Sequence, residues 1–185
     1  MENIALHLLD IIQNSIEAQS SHIAVEIEKD SITRQLRITV TDNGKGMSEQ
    51  TINNALDPFY TSRTTRKVGM GLPLLKQQAE QTGGFLLITS ELNKGTTVSF
   101  CFHLAHIDCP PIGDLADIMS TLFVVNPEIN FSLCVRNGVF SFSCESKQIL
   151  GIFKDLPLSQ KELRQYIFQF LSENMNWLIH QNVPQ

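Results

Sequence analysis

The chain has 185 residues, an apolar fraction of 42% and a formal net charge of -5, enough for one folded domain plus a small second unit. No long Lys/Arg cluster is present, so neither nucleic acid nor an anionic membrane is expected as the main partner. The apolar runs are short, and the start, MENIALHLLDIIQNSIEA, carries Glu2, His7 and Asp10 where a signal peptide would be basic and then apolar; a cytoplasmic location is expected.

In chain order, apolar periodicity predicts a helix over about 2–19, strands over about 22–29 and 35–42, and a short helix over about 48–55. A polar loop over about 57–69 leads to a helix over about 70–82 and strands over about 84–90 and 96–104. This mixture predicts an α/β two-layer sandwich with helices on one face of a sheet. At AHIDCPPIGD two prolines and a glycine break the strand pattern, and a domain boundary is expected near residue 107, dividing 1–107 from 108–185.

The second part is expected to be an α-β-β-α unit. It opens with a helix over about 113–123. In INFSLCVRNGVFSFSCE the pair Asn137-Gly138 is favoured in a two-residue type I′ turn. Pairing outward puts Ile129, Phe131, Leu133 and Val135 on one face with Phe140, Phe142 and Cys144. A last helix begins at Ser159 with Glu162 three residues on, a capping box, and repeats apolar residues at Leu163, Ile167, Phe170, Leu171 and Leu178. Cys101, Cys109, Cys134 and Cys144 form no CxxC pair and read as reduced structural thiols.

Four stretches carry candidate chemistry. On the first helix His7, Asp10, Asn14 and Glu17 form one polar stripe, either a solvent-facing surface or a functional one. On the strand QLRITVTDNG, Leu36, Ile38, Val40 and Asp42 share a face, which turns a carboxylate inward; Asp42 must find donors in a local turn or in a ligand. The loop DPFYTSRTTRKVGMGLPLLKQ places Arg63, Arg66 and Lys67 beside Gly69 and Gly71, directly before a helix, the ingredients of an anion site. It is no Walker loop, because no Gly-Lys-Ser/Thr ends it. In NKGTTVSF, Thr96 lies in phase with Val98, Phe100 and Phe102, so a second polar group points inward.

In this order the stretches resemble the histidine-kinase-like ATPase superfamily, which groups sensor-kinase catalytic domains with gyrase, mismatch-repair and heat-shock chaperone ATPases. DIIQNSIEA is similar to its Asn box, DNGKGM and GMGL to its two glycine boxes, DPFYTSR to the lid phrase of sensor kinases and GTT to the closing strand motif. The resemblance ends near residue 107. It implies a Bergerat-type sandwich that holds ATP between the helical layer and a lid. By that similarity Asn14 would bind Mg²⁺, a hard cation suited to a side-chain oxygen. Asp42 would accept from the adenine amine with Thr96 helping through water, and Gly44 and Gly46 would let the backbone approach the base. Arg63 and the amides around Gly69 and Gly71 would meet the phosphates, with Met47, Lys67, Met70 and Leu72 completing the set.

The resemblance leaves the fate of ATP open. Where gyrase and mismatch-repair relatives carry a Glu four residues before the Asn, this chain has Asp10, the candidate catalytic base. The leading expectation is a free-standing signalling kinase that phosphorylates a partner protein; the alternatives are a slow ATPase switch and a nucleotide sensor. Residues 108–185 are expected to regulate or to join two copies as a homodimer, unless their apolar faces merely close on each other.

Overall fold

A computed structural model describes residues 3–57 and 71–180. Asn3 starts α1 (Ile4–Glu17) by accepting from the Leu6 amide at 2.9 Å, satisfying one of the amides that a helix start leaves unpaired. The spacing of Ile4, Leu8, Ile11, Ile12 and Ser15 gives this helix one buried face. Strands β1 (His22–Asp30) and β2 (Gln35–Asp42) form a hairpin, and Ser48 caps the short α2 (Glu49–Leu56). Helix α3 (Gly71–Gln81) precedes a second hairpin, β3 (Phe85–Glu91) and β4 (Gly95–His103). These boundaries agree with the periodicity to within a residue or two.

Asp114 caps α4 (Leu115–Val125), which leads into the hairpin of β5 (Asn130–Asn137) and β6 (Phe140–Glu145). Its turn corrects the expected register. Asn137 pairs with Phe140, so the two loop residues are Gly138 and Val139 rather than Asn137 and Gly138. Gly138, at φ +58, comes first, as a type II′ loop requires. Asn137 is drawn inward instead: its amide donates to the Leu178 carbonyl at 2.7 Å and accepts from Ser31 Oγ at 3.0 Å. A short helix that periodicity misses, α5 (Ser146–Ile152), follows before α6 (Gln160–His180). The expected box opens α6: the Ser159 amide donates to Glu162 and the Glu162 amide to Ser159 Oγ.

The strands make one six-stranded sheet in the order β3-β4-β2-β1-β5-β6. All neighbours are antiparallel except β1 and β5, which run parallel from His22 beside Asn130 to Lys29 beside Asn137. Thus the PP-containing stretch near residue 107 lies on the crossover that carries the chain to α4 and β5. The sheet continues across the expected boundary, and both parts contribute to one apolar core.

Rows of that core run straight across the sheet. Ile88, Val98, Val40, Val25 and Leu133 form one, and Leu86, Phe100, Ile38, Ile27 and Val135 the next. Helices α1, α3, α4 and α6 cover this face, with Phe123 of α4 stacked 5.5 Å from Phe131 of β5. Fully burying each such side chain stabilises by about 1.5–3 kcal/mol, so the rows set which face turns inward. Exposed residues on the opposite face include the pairs Arg37–Glu28 and Arg136–Glu26, each 3.8 Å apart, a separation worth little in water. All four cysteines are free thiols, and burial pushes that of Cys144 up to about 12, away from the reactive thiolate.

Candidate functional site

The row beyond Val98, Val40 and Val25 breaks the apolar pattern. At the end of the sheet Ser90, Thr96 and Asp42 lie side by side on β3, β4 and β2, continued by Ile23 and Phe131. The alternation that buries Leu36, Ile38 and Val40 carries Asp42 to the same face, where it is 8% exposed. A carboxylate held so far from water needs donors, and it has three. Ser15 Oγ donates to Oδ2 at 2.8 Å, while Ser20 Oγ at 3.1 Å and the Gly44 amide at 2.8 Å donate to Oδ1. The Gly44 bond is the local turn that the sequence DNG offers. The turn and the inward position therefore coexist in one side chain.

The rest of the row is bonded as tightly. Ser90 Oγ accepts from the Met47 amide at 2.8 Å, donates to the Gly95 carbonyl at 2.8 Å and lies 2.8 Å from Thr96 Oγ1. Ser15, Ser20 and Ser90 are participants that the motif reading misses. Ser15 carries a signal: it lies three and four residues after Ile12 and Ile11, on the apolar face of α1. Ser90 shares a face with Leu86 and Ile88, although only its partners reveal its use.

The glycines of DNGKGM have protein neighbours. A Cβ on Gly44 would come 2.6 Å from Ser20 Oγ, and one on Gly46 would come 2.0 Å from the Glu91 carbonyl. Gly46 also takes φ +64, open at low cost only to glycine. The loop is thus wedged between the end of α1 and the β3–β4 turn, where the Asn93 amide donates to the Lys45 carbonyl at 2.8 Å.

The structure divides the polar stripe of α1. His7 is buried; its Nε2 donates to Gln78 on α3, its Nδ1 has no partner, and burial pushes its pKa below the usual histidine value. Asp10 is half-buried, and burial raises its carboxyl pKa. Its carboxylate lies so close to Gly71 that a Cβ there would fall 1.8 Å from Oδ2. That contact sets a negative group at the first residue of α3, where the helix dipole favours one. Asn14 and Glu17 are exposed, and among the described residues nothing hydrogen-bonds to the side chain of Asn14 or Asp10.

Asp10, Asn14, Asp42, Gly44, Gly46, Met47 and Thr96 are thus carried by α1 and the sheet end beside it, and Gly71 and Leu72 open α3 against Asp10 and the core. Arg63, Lys67, Gly69 and Met70 lie outside the described residues. The uncommitted oxygens of Asn14 and Asp10 are hard donors that fit a cation such as Mg²⁺. Among the described residues no three His, Cys, Asp or Glu side chains converge on a metal position, so such a cation would take its other ligands from phosphate and water. No helix among them is long and apolar enough to cross a membrane.

Residues 3–106 match the family described as histidine kinase-, DNA gyrase B- and HSP90-like ATPase. The chain is 31% identical over 110 residues to the non-motile and phage-resistance protein of Caulobacter vibrioides, a match covering 55% of this chain and 13% of that one. It is 29% identical over 90 residues to the sensor histidine kinase ZraS of Escherichia coli, covering 49% and 19%. It therefore spans less than a fifth of either relative's length. Among solved structures, the N-terminal domain of a DNA repair protein aligns at TM-score 0.58 and 16% identity, covering 77% of this chain and 52% of that one. The Aquifex aeolicus MutL ATPase domain complexed with ADP aligns at TM-score 0.51 and 17% identity, covering 91% and 70%. At these identities the two structures bear on the fold.

Proposed function

The chain belongs to the histidine kinase-, DNA gyrase B- and HSP90-like ATPases, and from that premise we propose that it uses MgATP to phosphorylate a separate protein. The observation that carries this reading is the inward-facing row of Asp42, Thr96 and Ser90, joined through Ser15 to the helix that carries the uncommitted carboxylate of Asp10. The adenine would present its amine to Asp42, whose three internal donors leave acceptor capacity on Oδ2. Thr96 would assist through water. The phosphates would then extend along α1 toward Asp10 and toward Asn14, the residue that would hold Mg²⁺. That ion, when bound, would neutralise phosphate charge and so favour attack at the γ-phosphorus.

Asp10 has the chemistry of a base. With a serine acceptor it would take the hydroxyl proton as the oxygen bonds to the γ-phosphorus and the bond to the ADP oxygen breaks. A histidine acceptor would use its own neutral nitrogen. Asp10, Asn14, Gly71 and Leu72 would order this end of the nucleotide, and Arg63, Lys67, Gly69 and Met70 are proposed to meet the phosphates.

One observation favours a second reading, a slow ATPase switch. Asp10 could orient a water as readily as a hydroxyl, and its side chain is a carbon shorter than the Glu of the gyrase-like relatives. Incubating the protein with γ-labelled ATP and an extract of its own cells separates the two. Label on a protein supports the kinase, label only in free phosphate supports the ATPase, and bound but unreacted ATP overturns both.

A further inference from the structure

We propose that Ser90 sets the nucleobase preference of this site by fixing which way the Thr96 hydroxyl points its hydrogen. The inference rests on the ATP reading above, and it follows from counting hydrogens.

Ser90 Oγ has three partners at 2.8 Å: the Met47 amide, the Gly95 carbonyl and Thr96 Oγ1. The amide can only donate and the carbonyl can only accept. Ser90 owns one hydrogen. If it pointed at Thr96, Ser90 Oγ and the Gly95 oxygen would face each other at 2.8 Å with no hydrogen between them. The hydrogen therefore goes to Gly95, and Thr96 must donate its own to Ser90. What Thr96 has left is lone pairs.

Its cross-strand neighbour Asp42 already takes donors from Ser15, Ser20 and Gly44 and likewise has only lone pairs to offer. The two side chains are 8% and 9% exposed, so a mismatched partner cannot be exchanged cheaply for bulk water. Any ligand edge that meets them has to bring the hydrogens, directly or through a water that donates. A 6-aminopurine brings two N–H groups. A 6-oxopurine brings one N–H, at N1, and in place of the amine an oxygen, which meets acceptors alone. Ser90 reaches no ligand in this account; it is a positioning residue, and its effect appears as a ratio between two nucleotides.

ATP and inosine triphosphate have nearly the same shape and differ at this edge, so the test is their dissociation constants measured by calorimetry. The parent should prefer ATP by at least about tenfold, the scale of one mispaired buried contact. In Ser90→Ala the Thr96 hydroxyl is released and can donate to the oxo group, and the preference should shrink by roughly fivefold or more. In Thr96→Val the hydroxyl is gone; ATP should weaken more than inosine triphosphate, and adding Ser90→Ala should leave the ratio where Thr96→Val put it. Equal weakening of both nucleotides in Ser90→Ala would mean that Ser90 only supports the loop at Met47 and would overturn the inference. A Ser90→Ala effect that persists in the Thr96→Val background would overturn it as well, and the Thr96→Val result stands alone if Ser90→Ala does not fold. A parent that binds neither nucleotide would instead overturn the ATP reading, and this proposal with it.

Discussion

Ser15 Oγ, at the C-terminal end of the buried face of α1, donates to Oδ2 of Asp42 at the end of β2 over 2.8 Å. This bond joins the helical layer to the sheet at the row where Asp42, Thr96 and Ser90 make the core polar. Its consequence is that Asp42 serves the fold as well as the proposed ligand. In Asp42→Asn one oxygen becomes an amide that points its own hydrogens at Ser15, or at Ser20 and Gly44. The variant should lose about 1–3 kcal/mol of stability in urea unfolding, and ATP affinity should fall roughly 10- to 150-fold by calorimetry. Unchanged ATP affinity with lowered stability would leave Asp42 only its internal role.

Asp10→Asn keeps the size of the side chain and removes the base. MgATP binding should survive, and turnover should fall at least about tenfold, close to 1.4 kcal/mol of transition-state stabilisation. Parent hydrolysis should itself be slow, because a carboxylate displaced by about 1 Å can cost on the order of 100-fold. Steady-state phosphate release and nucleotide binding, measured on the same samples, check both statements; unaltered turnover removes Asp10 from the chemistry.

The end of α6 is held to the sheet by two polar side chains. Lys29 Nζ donates to the Ile179 carbonyl at 2.9 Å and the Asn137 amide to the Leu178 carbonyl at 2.7 Å, both residues being buried. Asn137→Ala leaves a helix-end carbonyl and Ser31 without this partner. A loss of about 1–3 kcal/mol is expected in denaturant unfolding; a loss below about 0.5 kcal/mol would mean that water replaces the amide without cost.

Truncation after Ala105 removes the parallel partner of β1 and the side chains of Phe123, Phe131, Leu133 and Val135 that share its core. Each is worth about 1.5–3 kcal/mol when buried, a large fraction of the stability of any domain. The shortened chain is expected to aggregate or to lose its cooperative transition. A soluble, monomeric fragment that unfolds cooperatively would instead make residues 108–185 a separable module.

The buried His7 makes stability depend on pH. Burial lowers its folded pKa below the unfolded value of 6.5, so as pH falls below 6.5 the unfolded chain takes up a proton that the folded one does not. Stability is lost from there down through the folded pKa, at no more than about 1.4 kcal/mol per pH unit. Asp10 acts in the opposite sense at lower pH, since its raised pKa lets the folded state gain a proton first as pH falls toward 3.8. His7→Gln retains a donor for Gln78 and abolishes the titration. Unfolding measured at pH 7.5 and 5.5 should show a smaller drop in His7→Gln than in the parent, and an equal drop would place the acid sensitivity elsewhere.

Elements and phase were legible in the sequence because they depend on neighbours a few residues away. The alternation of Leu36, Ile38, Val40 and Asp42 was enough to predict an inward carboxylate, and Ser159 with Glu162 was enough to start α6. The family could be recognised from short motifs for the same reason. What those motifs could not show is what each polar group touches.

Asp42 finds Ser15 and Ser20 at separations of 27 and 22 residues, and Ser90 finds Met47 at 43. Periodicity says that such a side chain points inward but carries no information about its partner. The Asn137-Gly138 pair was similarly ambiguous: local preference favours both residues in the turn, while the buried bond from Asn137 to Leu178, 41 residues on, moves the loop by one position. The parallel pairing of β1 with β5 was equally out of reach, since His22 and Asn130 meet only after α4 has crossed the sheet. Local propensity and phase, determined by the sequence alone, specify helix, strand and buried face. The joining of two dissimilar stretches into one sheet was decided by the tertiary structure, because only there can the open edge of β1 and the apolar face of β5 be covered together.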